Sequence, residues 1–341
     1  MSGVLQFKRA TAAVWLLIDP VLAQGELGYV TDLLTYKIGD GVTPWSTLPA
    51  IAISSEFGAL TLNVVPDPGA SPADKLYTYA HPLAQRVMLK MVGPSGLDTA
   101  LQPFLGRNKI GMFCPPGNAT TASVLGAYTT PTATGTATTR SVTTANLFTR
   151  MRRLGYVSAG TAGALAGARV AAAQITTGGA SGAGFFKVIR FGFSDPVPVA
   201  GARTFVGVSS STSAPTNVEP SVLTNAIGVG ERTADTNLHV IYGGSAAQTP
   251  IDLGVNFPVG TSNTDPYELT LFAPPASTDV HYEVTRLNTG DVATGTLTAS
   301  GGLALPPVNT LLTYLQAWRT NNATAAAVGL DIMSDYIETD Y

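Results

Sequence analysis

The chain has 341 residues, of which 45% are hydrophobic and only 12% are charged, with a formal net charge of −3. Globular proteins carry about 25% charged residues, so neutral side chains such as Thr, Ser and Asn must keep this surface soluble. The absence of any long basic run argues against nucleic-acid binding, because phosphate neutralisation needs many cations on one face. This length suits two or three domains. We expect a folded, β-rich protein with a neutral polar exterior, of the kind found among extracellular and virion-surface proteins.

The first stretch, residues 1–50, is rich in turn residues. Thr11 to Ile18 reads as a short helix with Thr11 as its N-cap, and Asp19-Pro20 ends it because the residue before a proline disfavours the α region. This apolar run is too short for the roughly 20 residues of a membrane span, and no signal-peptide cleavage site follows it. We therefore expect synthesis in the bacterial cytoplasm and no membrane insertion. Gly28 to Ile38 predicts a hairpin that turns near Asp32.

The second stretch, residues 51–107, contains short apolar runs at Leu60–Leu62 and Val87–Leu89. Proline-rich loops separate the runs, and Pro66–Gly69 is the clearest break. This pattern predicts a small β connector. Cys114, the single cysteine of the sequence, excludes an intramolecular disulfide and is expected to be a small buried side chain.

The third stretch, residues 108–341, alternates apolar and polar residues with a period of two. This pattern is typical of strands with one buried and one wetter face, and it occurs in Phe185–Phe193, Pro266–Phe272, Val280–Thr285 and Val328–Ile332. Turn residues separate these runs. We predict an all-β fold with a C-terminal β-sandwich of the jelly-roll type. Gly160–Ala173 fits a helix, a strand or a loop equally well.

Motifs for catalysis and metal binding are missing from the sequence. There is no phosphate-binding loop, no H-E-x-x-H zinc motif and no G-x-S-x-G nucleophile elbow. His81, His239 and His281 lie far apart, so we expect surface or interface histidines. Arg150, Arg152 and Arg153 form the densest basic cluster, which is typical of a solvated or interface stretch. We predict neither a cofactor nor a metal.

Two groups of acidic residues allow alternatives. The C-terminal residues Asp331, Asp335, Glu338 and Asp340 could supply oxygen ligands to calcium, but they lack the calcium-loop spacing and fit a solvated strand end better. Glu268 and Glu283 fall on adjacent predicted strands, and a pair of carboxylates could cleave glycans. Such pairs are common in β-sheets, so an enzyme is not the leading hypothesis.

Glycan binding needs aromatic faces together with amides or hydroxyls. One candidate loop combines Trp318, Arg319, Asn321 and Asn322, and a second loop begins at Tyr242. In the alternative interpretation, Trp318 is a core residue and the two asparagines only shape a turn.

The N-terminal stretch contains a distinctive series of residues at characteristic spacing. They include Gly25–Gly28, Lys37–Thr43 and a set that we assign to attachment and trimerisation: Trp15, Glu26, Val30, Leu33, Lys37, Asp40 and Trp45. In this series the stretch resembles the N-terminal region of phage tropism-determinant and tail-fibre proteins. The resemblance implies an intertwined homotrimer near the point of virion attachment. The apolar Val30 and Leu33 depart from the family pattern and suggest a subunit or docking contact.

The C-terminal part resembles a module that recurs at the ends of phage fibre proteins. The residues that carry this resemblance are Gly93–Pro103, Val328–Ile332 and Tyr336–Asp340. It implies a concanavalin-like jelly roll, although a fold alone does not imply sugar binding.

Together these features predict a non-enzymatic bacteriophage virion protein, a fibre or spike that binds host-surface polysaccharide or protein through its C-terminal end. Its other partners would be two further copies of the chain and phage virion proteins at the N-terminus. The alternatives are a structural head fibre, capsid decoration or baseplate protein, and a glycan depolymerase.

Overall fold

The computed structural model describes residues 8–52, 61–93, 98–100, 109–115, 119–179, 181–299 and 303–339. The chain divides into two compact units, Met1–Asn63 and Val64–Tyr341. No helix in the described ranges is long and apolar enough to cross a membrane.

The N-terminal unit is a four-stranded sheet with one short helix. Its elements are β1 (Lys8–Ala10), α1 (Ala12–Ile18), β2 (Leu27–Val30), β3 (Thr35–Ile38) and β4 (Ala50–Ala52). The strands follow the order β1-β2-β3-β4, and β1 runs parallel to β2 whereas the other pairs are antiparallel. Thr11 occupies the N-cap without a side-chain hydrogen bond, and α1 ends at Asp19 in the left-handed region. The predicted helix and hairpin are both confirmed.

The second unit begins with a three-stranded sheet, formed by β5 (Tyr77–Leu83), β6 (Arg86–Val92) and β7 (Asp98–Ala100). The predicted strand Val87–Leu89 lies within β6. Thr61 and Leu62 form no strand, and Leu60 lies outside the described residues, as does most of the Gly93–Pro103 run.

The rest of this unit is a sandwich of two large, mainly antiparallel sheets. The eight-stranded sheet contains β10 (Thr132–Thr134), β13 (Leu165–Arg169), β14 (Ala173–Ile175), β16 (Arg203–Ser209), β17 (Ala226–Glu231), β18 (His239–Gly243), β19 (Ile251–Asp252) and β23 (Leu312–Thr320). The nine-stranded sheet contains β8 (Lys109–Cys114), β9 (Ser123–Gly126), β11 (Thr136–Thr139), β12 (Leu154–Val157), β15 (Phe185–Phe193), β20 (Pro266–Ala273), β21 (Asp279–Arg286), β22 (Asp291–Thr298) and β24 (Gly329–Thr339). A short helix, α2 (Leu147–Arg150), and a 3₁₀ turn, Pro220–Val222, lie in connecting segments.

The alternation in the sequence predicts the buried face of some strands correctly, and for others it predicts less burial than the structure shows. In β21, Val280, Tyr282 and Val284 face the core between the sheets, as predicted. In β15 the predicted alternation holds in part, because Ile189 and Phe191 are buried whereas Arg190 between them is exposed. The run Val328–Ile332, at the start of β24, is buried on both faces, so the expected wetter face is wrong there. The predicted all-β architecture with a C-terminal sandwich is confirmed.

Three local predictions are also settled. The ambiguous segment Gly160–Ala173 forms β13 and the first residue of β14. Cys114 is exposed at the end of β8, not buried as predicted. Arg153 is buried, which contradicts a wholly solvated arginine cluster.

Candidate attachment and receptor-binding sites

Two tryptophans form the centre of the small N-terminal core. The rings of Trp15 and Trp45 stack with their centroids 4.1 Å apart. The indole N–H of Trp15 donates a hydrogen bond to the Tyr29 carbonyl at 2.9 Å, and Val30 is buried beside the pair. Lys37 places its ammonium 5.1 Å from the Trp45 ring centroid and donates to the Trp45 carbonyl at 2.7 Å. Four of the predicted attachment residues thus build this core.

Two acidic residues of the predicted set fix the loops around it. Asp40 accepts hydrogen bonds from the Thr43 hydroxyl and from neighbouring backbone N–H groups, and these bonds lower the pKa of Asp40 to about 2. Glu26 accepts the Ala23 N–H at 2.9 Å and pairs with Lys8 at 2.6 Å. The hydrogen bond from Lys8 is the main reason why the pKa of Glu26 is lowered.

Large apolar side chains remain on the surface of this unit. Leu17 is 85% exposed and Ile18 is 65% exposed, because α1 turns only Trp15 into the core. Leu33 and Leu34 are exposed in the turn between β2 and β3. Exposed apolar surface on a unit of this size is typical of an interaction site.

The first predicted glycan loop lies where the sequence placed it, but most of its side chains are buried. β23 ends at Thr320, and a turn follows. Trp318 packs against Phe205 and Ile241. The Asn321 amide donates to the carbonyls of Thr161 and Ala326 at 2.8 and 2.7 Å. Trp318 and Asn321 are therefore buried and hold the fold together, as in the alternative interpretation.

Arg319 lies at the centre of a buried ion network. Its guanidinium donates to Asp195 at 2.7 and 2.9 Å and to Glu231, and it lies 4.4 Å from the centroid of the Phe193 ring. Burial raises the pKa of Glu231 to about 7, although Arg319 opposes the shift. One cation thus faces two carboxylates, and Glu231 holds its proton more firmly than a solvated glutamate. Arg319 is fully engaged within the protein.

The remaining predicted glycan contacts are more accessible. Asn322 is half-buried, has a positive φ of 51° and donates weakly to the Thr233 hydroxyl at 3.4 Å. Tyr242 is half-buried on β18. Both stay predictions as receptor contacts.

The acidic residues of β24 form further internal ion pairs. Asp331 is fully buried between Arg140 and Arg153, at 3.1 and 3.0 Å. Asp335 pairs with Lys187, and the Tyr128 hydroxyl donates to it at 2.6 Å.

Burial raises the pKa of Asp335 and lowers that of Lys187, because neither charge is solvated. The prediction of a solvated acidic strand end is wrong for Asp331, Asp335 and Glu338, which are all buried, and Asp340 lies outside the described residues.

The carboxylates considered for glycan cleavage do lie on paired strands, β20 and β21. Glu268 forms an ion pair with Arg190 at 2.5 Å. Glu283 accepts the backbone N–H of Ala84 at 3.2 Å, and burial is the main cause that raises its pKa. Each carboxylate thus has a partner within the protein.

The histidines are dispersed, but His239 is buried, so the expectation of a surface histidine is wrong for it. His239 lies 3.3 Å from Asp235, and the His281 ring contacts the Thr296 hydroxyl at 3.0 Å. Among the described residues, no three His, Cys, Asp or Glu side chains are grouped so that they could hold a metal ion.

A neutral groove opens at the C-terminal end of β24. It has a volume of about 430 Å³, and we call it the Thr339 groove; its lining includes Gln174, Thr176, Ser181, Val308, Asn309, Leu311 and Thr339. A second depression of about 170 Å³ shares Ala183 and Thr339 with it. Arg86, at the tip of the β5–β6 hairpin, lines this second depression and forms two hydrogen bonds with Glu338 at 2.7 and 3.0 Å.

Residues 5–43 match the Major tropism determinant N-terminal domain. This match contains Trp15, Glu26, Val30, Leu33, Lys37 and Asp40, and it ends just before Trp45. It confirms the N-terminal resemblance and concerns this segment alone. Comparison with curated proteins gives no match.

Several solved structures resemble the fold. Arcelin-5, a lectin-like defence protein from Phaseolus vulgaris, is 10% identical with a TM-score of 0.45 over 69% of this chain and 99% of that chain. Peanut lectin with a 9mer peptide is 12% identical with a TM-score of 0.42 over 61% and 90%. A protein of unknown function from Shewanella oneidensis MR-1 is 12% identical with a TM-score of 0.43 over 70% and 90%. These values are too low to carry an argument about ligands.

No feature of the sequence indicated the Thr339 groove. Its residues come from four separate segments between Gln174 and Thr339, and most of them are small or hydroxylated. The sequence predicts a separate connector for the segment that contains Arg86. In the structure, the tip of this β5–β6 hairpin also forms hydrogen bonds with Glu283 on β21 and Thr296 on β22. No local pattern identifies such long-range contacts.

Proposed function

We propose that the chain is a receptor-binding fibre or spike protein of a bacteriophage virion. The N-terminal unit would attach the protein to the particle, and the C-terminal sandwich would contact the host surface. The observation that carries this proposal is the match of residues 5–43 to a tropism-determinant domain, followed by a separate compact β-sandwich.

The proposal includes a homotrimer assembled through the N-terminal unit. Support comes from Leu17, Ile18 and Leu33, which are 85%, 65% and 62% exposed. Contact with further copies of the chain would remove these side chains from water, and burial of apolar surface is the main driving force for protein association. Other virion proteins would bind the same unit at the particle.

For the host-facing end we propose binding of a neutral surface glycan without cleavage. The Thr339 groove offers hydroxyls and amides beside apolar Val308 and Leu311, a mixture that suits polar, uncharged ligands. Glu268 and Glu283 are occupied by Arg190 and the Ala84 backbone, which speaks against a free acid and base pair.

Competition for adsorption tests the proposal. Host cells incubated with the purified full-length chain should adsorb fewer particles of the parent phage, because the protein occupies the receptor. The variant Asn309→Trp should compete less well, since Asn309 is an exposed residue of the groove lining. The control Asn256→Trp changes an exposed asparagine outside the groove and should compete like the wild type.

Two results would count against this function. If folded full-length protein leaves adsorption unchanged, a structural role such as a head fibre, decoration or baseplate protein takes its place. If the protein shortens host polysaccharide, the depolymerase alternative replaces simple binding.

A further inference from the structure

A long loop covers part of the outer face of the eight-stranded sheet. It spans residues 210–225, between β16 and β17, and contains the 3₁₀ turn. Two arginines of the sheet hold it in place. Arg169 donates to the Thr212 carbonyl at 3.1 Å, and Arg203 pairs with Glu219 at 3.1 Å. The loop is therefore fixed over the sheet at two points.

Beneath this loop lies a cavity of about 80 Å³. We call it the Trp318 cavity; Phe205, Gln316 and Trp318 line it on the sheet side, and Ala214, Thr216 and Val218 line it on the loop side. Ala214 and Thr216 are exposed, so the cavity opens to solvent between them and the sheet.

Glycines explain why the sheet leaves room at this point. Gln316 is paired with Gly207 on β16, and Gly207 is paired with Gly228 on β17. A Cβ atom on Gly207 would lie 2.2 Å from the Ile227 carbonyl oxygen, so no larger residue fits there without movement of the strands. The surface beside Gln316 is consequently free of side chains along these two strands.

Gln316 presents an unpaired polar atom in the cavity wall. The residue is only 5% exposed, and its Oε1 has no hydrogen-bond partner among the described residues. Buried polar atoms are nearly always hydrogen-bonded, and an unpaired one needs an explanation such as a missing ligand or water. The Oε1 atom of Gln316 is thus a buried hydrogen-bond acceptor available to a ligand.

The size and lining of the cavity limit which chemical group can bind in it. At roughly 30 Å³ for each water, the volume holds two or three waters, which is less than a sugar ring but enough for one substituent. Phe205, Val218 and Trp318 suit a methyl group, and none of the described residues that line the cavity is charged. An acetamido group has a methyl, an N–H and a carbonyl, so it can pair with the Gln316 amide in either orientation.

We infer that the Trp318 cavity binds the acetamido group of a neutral, N-acetylated host glycan. The inference rests on the proposed receptor-binding function and adds to it a ligand class and a second glycan contact, at a cavity separate from the Thr339 groove. The sugar ring would lie outside the cavity, against the exposed part of the 210–225 loop.

A pair of matched glycosides tests this ligand class on the full-length protein. Methyl N-acetyl-β-D-glucosaminide should bind in saturation-transfer NMR and should shift the indole N–H signal of Trp318. Methyl β-D-glucoside carries a hydroxyl in place of the acetamido group and should bind at least about tenfold more weakly, a difference of about 1.4 kcal/mol.

Two variants test the location. Gln316→Leu removes the amide at similar size, and it should weaken binding about tenfold without lowering the melting temperature, because Oε1 makes no hydrogen bond within the protein. Ala214→Trp places a large side chain at the solvent opening of the cavity and should abolish binding. Ser213→Trp is the control, since Ser213 is exposed but does not line the cavity.

Equal binding of both glycosides, or no binding of the N-acetylated one, would overturn the inference. Unchanged binding in folded Ala214→Trp would do the same, even if Gln316→Leu failed to fold. The adsorption-competition experiment shows whether such a negative result refutes only the ligand inference or also the proposed receptor-binding function. Full-length protein that competes but binds no N-acetylated glycoside leaves the receptor-binding function standing and removes only the cavity.

Discussion

The two units of the chain differ in how deeply they bury their side chains. The N-terminal unit leaves Leu17 85% exposed, whereas the sandwich buries even the charged side chains of Lys187 and Asp335 completely. A small unit has too little interior for all its apolar residues, and the buried fraction of surface rises with chain length. The exposed apolar residues of the first unit support our proposal that other molecules cover part of its surface.

The largest effect is expected at the exposed face of α1. Leu17→Glu places a charge where we propose a contact between copies, so the assembled protein should dissociate to monomers in light scattering. Val255→Glu is the control, because Val255 is also largely exposed, at 83%, but belongs to the sandwich. Equal masses for both variants and the wild type would contradict an interface on α1.

Buried charges of the sandwich should give the next largest effect. Asp331→Ala leaves Arg140 and Arg153 without their shared partner, and breaking such a buried pair costs about 3–5 kcal/mol of unfolding free energy. Arg190→Ala removes a pair whose arginine is 45% exposed and should cost less than about 1 kcal/mol. Urea unfolding followed by circular dichroism measures both. Similar losses would mean that the Asp331 network is solvated.

The two neighbouring asparagines should differ from each other by a smaller amount. Asn321→Ala removes a buried amide that donates to the carbonyls of Thr161 and Ala326, and it should cost about 1–3 kcal/mol. Asn322→Gly should be nearly neutral, because φ at this position is 51° and glycine adopts that conformation freely. Equal melting temperatures for Asn321→Ala and the wild type would show that Asn321 is not part of the core.

The smallest predicted effect concerns pH. The pKa of Glu231 in the fold is about 7, above its ordinary value of 4.5. The folded protein therefore binds this proton more tightly than the unfolded chain, and the free energy of unfolding should decrease as the pH rises from 4.5 to about 7. Glu231→Gln should remove this part of the decrease in urea unfolding. The same pH dependence in the variant would assign the effect to another group.

The sequence predicted local features well because short-range patterns encode them. Asp19-Pro20 ended α1, and the alternation of Val280, Tyr282 and Val284 identified the core face of β21. Burial of β24 on both faces could not be predicted, because its polar residues find partners far away in the chain. Arg140 and Asp331, for example, are 191 residues apart.

The candidate site was predictable only in part. The turn after Trp318 follows from its asparagines, but the burial of Trp318 depends on the 210–225 loop, which covers the sheet from a distant part of the sequence. Residue type alone cannot distinguish an aromatic platform at the surface from one beneath a loop. The Thr339 groove escaped prediction for the same reason, since four separated segments form it.

The central claim is that the N-terminal unit attaches the protein to the particle and the second unit binds the host. It is tested most directly by producing residues 64–341 alone. We predict a monomer that keeps the β circular-dichroism signal, unfolds cooperatively and competes with the parent phage for host cells, but is not incorporated into virions. Loss of the β signal, or a folded fragment that still assembles into particles, would contradict the account.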